Sequence, residues 1–154
     1  MKYTIIFLFA GLSLFLTACL TIKDGKPSIK QGVFGRVLWV QGNVMPSPDA
    51  PNRGTGKPIE QTLHIYEITH LNEAEGQAPL FTHIKTKLIA TIKTNKEGYF
   101  QCKLKPGKYS VFTVEEEGKL FANLFEGNGE INAFEVKTAQ VVTFPITINY
   151  KAFY

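Results

Sequence analysis

Two cysteines, three histidines and a run of three glutamates are the side chains of this chain whose chemistry reaches beyond packing, and their spacing limits what each can do. A zinc or copper site needs ligands at i, i+2 on a strand or i, i+4 on a helix. His64, His70 and His83 are spaced in neither way, so no metal and no cofactor is expected. His64 lies in an alternating Leu-His-Ile-Tyr-Glu run, whereas His70 and His83 sit in a polar stretch and could meet only through folding. Glu115-Glu116-Glu117-Gly118-Lys119 lacks the interleaved oxygen ligands of a calcium loop and reads as a solvated turn between two strands. Cys102 alternates with Phe100 and Leu104, which turns it inward among apolar groups. Burial raises a thiol's pKa and weakens it as a nucleophile, so it reads as a small core residue.

Cys19 is different in kind. Met1 to Ala18 holds one basic residue, Lys2, a continuous apolar run from Tyr3 to Phe15, and then Leu16-Thr17-Ala18-Cys19. So short a run at the N-terminus, with a small residue before the break, reads as a cleaved export signal over residues 1–18 rather than a membrane span. The Leu-Thr-Ala-Cys ending resembles the bacterial lipobox. That resemblance implies acylation of Cys19 as the first residue of the mature protein, and an address in the bacterial cell envelope, on the outer membrane, with the leaflet left open. At about 0.8 kcal/mol per buried methylene one acyl chain holds marginally, whereas two or three hold almost irreversibly. Residues 19–31, polar and carrying Gly25 and Pro27, read as a flexible tether to a domain over residues 32–154.

The elements that must position these groups are strands. Val33–Val40, Thr62–Thr69, Lys87–Lys93, Tyr99–Leu104, Tyr109–Val114, Leu120–Phe125, Ile131–Val136 and Val141–Tyr150 are rich in β-branched and aromatic residues, with turn residues between them. This pattern predicts an all-β fold, a single seven- to eight-stranded antiparallel β-sandwich of the Ig-like kind. At its centre, Pro106-Gly107 is read as closing a hairpin in which Leu104 faces Tyr109, Cys102 faces Val111 and Phe100 faces Thr113. The composition is 44% apolar and 19% charged, ordinary for one globular domain. The net charge of +4 is spread along the chain, so nucleic acid is not an expected partner.

The run from Gly98 through Leu104, Pro106-Gly107-Lys108-Tyr109 and a short aliphatic strand, together with Gly35-Arg36-Val37 and Gly56-Lys57-Pro58-Ile59, resembles the carboxypeptidase regulatory-like domain, a prealbumin-like (transthyretin-like) sandwich. The likeness covers most of residues 32–115, with insertions at 43–55 and 69–86. It implies a non-catalytic module. Transthyretin-like hydrolases use histidines and an arginine and end in Tyr-Arg-Gly-Ser, whereas Tyr150-Lys151-Ala152-Phe153-Tyr154 has no arginine, so no catalytic residues are assigned.

Two long connections and a set of aromatic residues remain as binding candidates. Gly42–Pro58 is stiffened by four prolines, and His70–Thr86 is polar with a short helical turn around Asn72–Ala74. Tyr99 and Phe112, opposite the core face of the expected hairpin, are the aromatics expected to be exposed and available to a partner. The leading reading is a membrane-anchored envelope lipoprotein whose sandwich binds or supports a protein or glycan partner. The alternative is a small-molecule binder using the 42–58 loop, with Arg53 and Lys57 as its polar handles.

Overall fold

A computed structural model describes residues 22, 25–45, 47–49 and 54–154. The expected export signal, Cys19 and Arg53 lie outside the described residues. Among those described, the strands are β1 (Gly32–Asn43), β2 (Lys57–Pro58), β3 (Thr62–Glu67), β4 (Ala74–Gln77), β5 (Leu80–Ile84), β6 (Leu88–Lys93), β7 (Tyr99–Cys102), β8 (Gly107–Val114), β9 (Leu120–Phe121), β10 (Ala133–Val136), β11 (Val141–Thr143) and β12 (Ile146–Phe153). They form a five-stranded and a seven-stranded sheet packed into an all-β sandwich.

The five-stranded sheet is built on β1. Antiparallel β7 and β2 share one flank of it, β7 along Val33–Arg36 and β2 at Leu38 and Trp39. Parallel β11 and β12 share the other, in one register from Gly32 to Trp39 and shifted by a bulge before Gln41. They part at Pro145, which has no N–H to donate to a ladder. Phe144 still donates its N–H to the Phe34 carbonyl at 2.8 Å. The all-antiparallel expectation is therefore corrected at β1. β11 follows β10, a strand of the other sheet, so its direction is set by a crossing between sheets and not by a tight turn.

The expected hairpin is also corrected. β7 pairs with β1, whereas β8 lies in the seven-stranded sheet between β3 on one flank and β10 and β9 on the other. Residues 103–106 thus carry the chain from one sheet to the other, and the Tyr109 hydroxyl ties the crossing by donating to the Lys105 carbonyl at 2.8 Å. The apolar alternation nevertheless has the inside right. Phe100, Leu104 and Val111 belong to one core with Val33, Val37, Leu63, Ile65, Phe121 and Ile148. Gly35 is required there. A Cβ at this position would lie 2.5 Å from the Phe100 ring and 2.1 Å from the Phe144 carbonyl oxygen, so the ring packs directly on bare backbone.

The seven-stranded sheet has a second apolar face, and the chain covers that one as well. Beyond β3 lies β6, and beyond β9 lie β5 and β4. β5 begins beside β9, with Leu80 opposite Phe121. Its far end reaches the segment just beyond β3, where Lys85 N–H donates to the Glu73 carbonyl and the Thr86 and Thr69 hydroxyls are 2.6 Å apart. It therefore crosses the outer face as a strap, bringing Phe81 and Ile84 into a cluster with Tyr66, Phe112, Leu120 and Ile131. A tongue over residues 122–132 completes the cover. Phe125 bridges to Ile131 at its base, and Ile131 N–H donates to the Thr69 carbonyl at 3.0 Å. The 69–86 insertion, expected as a loop with one helical turn, supplies that turn at Leu71–Glu73 and also the β4–β5 hairpin.

The expected tether is shorter than its sequence suggests. Ile29 is buried, Ser28 N–H donates to Gln101 Oε1 at 2.9 Å, and Gln101 Nε2 donates back to Ser28 Oγ at 2.8 Å. Residues 25–31 thus lie on the five-stranded sheet, because the outward-facing Gln101 and Tyr99 give this polar stretch partners that a reading of its composition does not reveal.

Candidate functional site

The outer layer brings four titratable side chains, His70, Glu73, Lys108 and Glu130, to face one another. Glu130, at the returning edge of the tongue, accepts from Lys108 Nζ at 3.1 Å on Oε1, and its own N–H donates to Asn128 Oδ1 at 3.2 Å. His70, just beyond β3, has Nε2 4.0 Å from the same Glu130 oxygen and Nδ1 3.3 Å from Glu73 Oε2. The His70 N–H donates to that Glu73 oxygen at 2.9 Å. The Lys108 ammonium holds the Glu130 carboxyl below the usual carboxylate range, with a smaller push from His70. Glu73 is lowered chiefly by the bond from the His70 backbone. Two shallow depressions flank the cluster. One, of about 380 Å3, is lined by Lys108, Asn128, Glu130 and Phe134, and the other, of about 400 Å3, by His70, Glu73, Asn128 and Gly129.

Asn132 fixes the tongue to the sheet. Its φ of 40° is one that asparagine tolerates better than most residues. Its buried side chain donates through Nδ2 to the Val111 carbonyl at 3.0 Å and accepts from Leu124 N–H at 2.9 Å. With the tongue so held, Leu71, Leu124 and Phe125 are 48%, 53% and 41% exposed.

The far end of the sandwich carries a second polar network with a structural role. Glu115 Oε1 accepts from Gln61 Nε2 at 2.8 Å and from Thr113 Oγ1 at 2.6 Å, and Oε2 accepts from the Tyr150 hydroxyl at 3.0 Å. Both carboxylate oxygens are engaged, which leaves the group poorly placed to take a proton from a substrate. Burial, and then Glu115, push the Tyr150 phenol up to about 12. Tyr150 packs edge-on to Trp39 at 5.5 Å, closing this end of the core. Glu116 and Glu117 are solvated and pair with Lys151 and Lys119.

The two aromatic residues expected to bind a partner do not converge. Phe112 is fully buried under Phe81 and Tyr66, whose rings stand edge-on to it, so its expected exposure is corrected. The face opposite the core is covered here by the strap and the tongue. Tyr99 is half-buried on the other sheet, stacked on Phe34 at 5.8 Å beneath the Arg36 guanidinium, and Gly25 passes against its hydroxyl. Tyr99 and Phe112 therefore share no face. Lys57 is exposed in β2, opposite Trp39. Cys102 is half-buried against the core, and burial pushes its thiol up to about 11. Burial also lowers His64, whose Nδ1 lies 3.4 Å from the Tyr66 hydroxyl. Among the described residues no group of three or more His, Cys, Asp or Glu side chains is placed to hold a metal ion.

The sequence reading missed Glu130 and Asn132 and the place of Lys108 in this cluster, and it weighed His70 only as a metal ligand. The Gly127-Asn128-Gly129 turn marks the tip of the tongue, but nothing local says that the tongue folds back onto the end of β3. Comparison with known protein families found no matching family model, and comparison with curated proteins and with solved structures found no match.

Proposed function

We propose that this chain is a lipid-anchored protein of the bacterial envelope whose sandwich is a non-catalytic binding module for a protein or glycan partner. The observation that carries this reading is the outer layer. A sandwich core already closed by two sheets supports a strap and a tongue that leave Leu71, Leu124 and Phe125 exposed around a charged cluster. Large apolar side chains ringed by polar groups are what a recognition surface presents. The raised Cys102 thiol and the saturated Glu115 carboxylate support a role without covalent or proton-transfer chemistry. We read residues 32–154 as a carboxypeptidase regulatory-like domain, with the two packed sheets as support, and Cys19 as the acylated residue that holds the domain to the outer membrane.

A photo-crosslinking residue at position 124, used in intact cells, tests the reading, with position 91 on β6 as the control. A discrete adduct from 124 and none from 91 is expected, together with release from the membrane fraction in Cys19→Ala. Folded, membrane-bound protein that gives no adduct from 124 or 71 would contradict it.

A further inference from the structure

We propose that His70 is a pH-dependent latch that fastens the tongue to the segment just beyond β3. Its imidazole stands between two carboxylates carried by different segments. Nδ1 lies 3.3 Å from Glu73 Oε2, and Nε2 lies 4.0 Å from Glu130 Oε1. A neutral imidazole carries one N–H, so whichever nitrogen holds it, the other turns a lone pair toward a carboxylate oxygen. The imidazolium carries two and can donate to both sides. Histidine is the side chain whose charge ordinarily changes between about pH 5 and 8. Both carboxyls are held below their usual range, so they stay ionised where an imidazole gains its proton. Glu73 faces His70 from its own turn and Glu130 from the tongue. Lys108 of β8, 3.1 Å from the same Glu130 oxygen, is the cation of this cluster, and its like charge limits the gain. Asn72, Asn128 and Gly129, which line the depression beside the ring, are uncharged.

The latch closes on a seam that the backbone already defines. Ile131 N–H donates to the Thr69 carbonyl at 3.0 Å, Leu71 N–H donates to the Gly129 carbonyl at 2.9 Å, and His70 and Glu130 form the bridge between them. Charging the imidazole therefore changes how readily the seam opens and not the fold. The stabilisation is present in mild acid, is lost as rising pH discharges the imidazole, and is lost again once the carboxylates are protonated. The His70 and Glu73 side chains are each 39% exposed, which keeps the effect to about two- to fivefold in the opening of the seam. Leu71 lies on one side of the seam and Leu124 and Phe125 on the other, so the latch sets how firmly these exposed apolar groups are held together. That consequence for a partner rests on the recognition reading above; the latch itself does not.

The test is native-state hydrogen exchange of the full chain at about pH 5.5 and pH 8, on either side of an imidazole's ordinary titration, with intrinsic amide rates divided out. Protection of the Leu71 and Ile131 amides, taken relative to Val37 and Leu63, is expected to be about two- to fivefold greater at the lower pH. His70→Gln, which has no charge at either pH, should abolish that ratio. Glu73→Gln keeps an oxygen for the His70 N–H but removes one of the two charges, so it should reduce the ratio in part. Equal relative protection at the two pH values in the unaltered protein would overturn the inference. So would a ratio undiminished in His70→Gln, which would assign the pH dependence to His64 or His83. The readout needs no partner, so failure of crosslinking at position 124 would leave the latch standing, and failure of the latch would leave that reading untouched.

Discussion

On its inner face the seven-stranded sheet meets the other sheet through interlocking apolar side chains, with Phe100 seated on Gly35. On its outer face Tyr66 and Phe112 are covered by segments that polar groups hold in place. The inner face needs only alternation along each strand. The outer face depends on Asn132, on Thr69 bonded to Thr86 and on Glu130 bonded to Lys108. Apolar packing is non-directional and strong, whereas each buried hydrogen bond contributes modestly but is costly to leave unmade. The inner layer is therefore expected to contribute more to stability than the outer one.

The largest effect expected is on the inner side. Phe100→Ala removes a ring that is 1% exposed and should cost about 3–5 kcal/mol, read as a fall in the urea midpoint. Asn132→Ala should come next, at about 2 kcal/mol, because it strands the Val111 carbonyl and the Leu124 N–H. The comparison would break if Asn132→Ala destabilised the inner core as much as Phe100→Ala does.

A smaller, pH-dependent effect belongs to the outer layer alone. The folded protein holds Glu130 and Glu73 below the ordinary carboxylate range, so their contribution to stability is present above the unfolded value of about 4.3 and is lost as pH falls through the folded values. Protection of the tongue should weaken under acid before that of the inner strands. Lys108→Met should reduce the acid sensitivity, since its ammonium is the main cause of the Glu130 shift. The smallest change is spectroscopic. Tyr150 should titrate near 12, and Glu115→Gln should lower that value in part, with burial keeping it above the ordinary phenol; absorbance titration against Tyr150→Phe reads it.

What the sequence displays follows the same division. The alternation of Phe100, Cys102 and Leu104, and of Tyr109, Val111 and Thr113, points the right residues inward because period two is a local property of a strand. Pairing is not local. Pro106-Gly107 announces a reversal but not whether the chain returns beside itself or enters the facing sheet. Pro145 did carry a readable signal, the break between β11 and β12. Phe112 was legible as facing away from the core, yet its cover came from Phe81 and Ile84, three positions apart in a polar strap that shows no strand period. The charged cluster was invisible for the same reason. His70 and Glu130 are 60 positions apart and meet only because the tongue pairs with the end of β3.

Native-state hydrogen exchange tests the division between the two layers most directly. Amides of Ile131, Asn132 and Lys85, bonded within the outer layer, should exchange through a smaller opening than those of Val37 and Leu63, which should require global unfolding. A single opening free energy and a single denaturant dependence for both sets would show one cooperative unit, and the account of a stable core carrying a separable outer layer would be wrong.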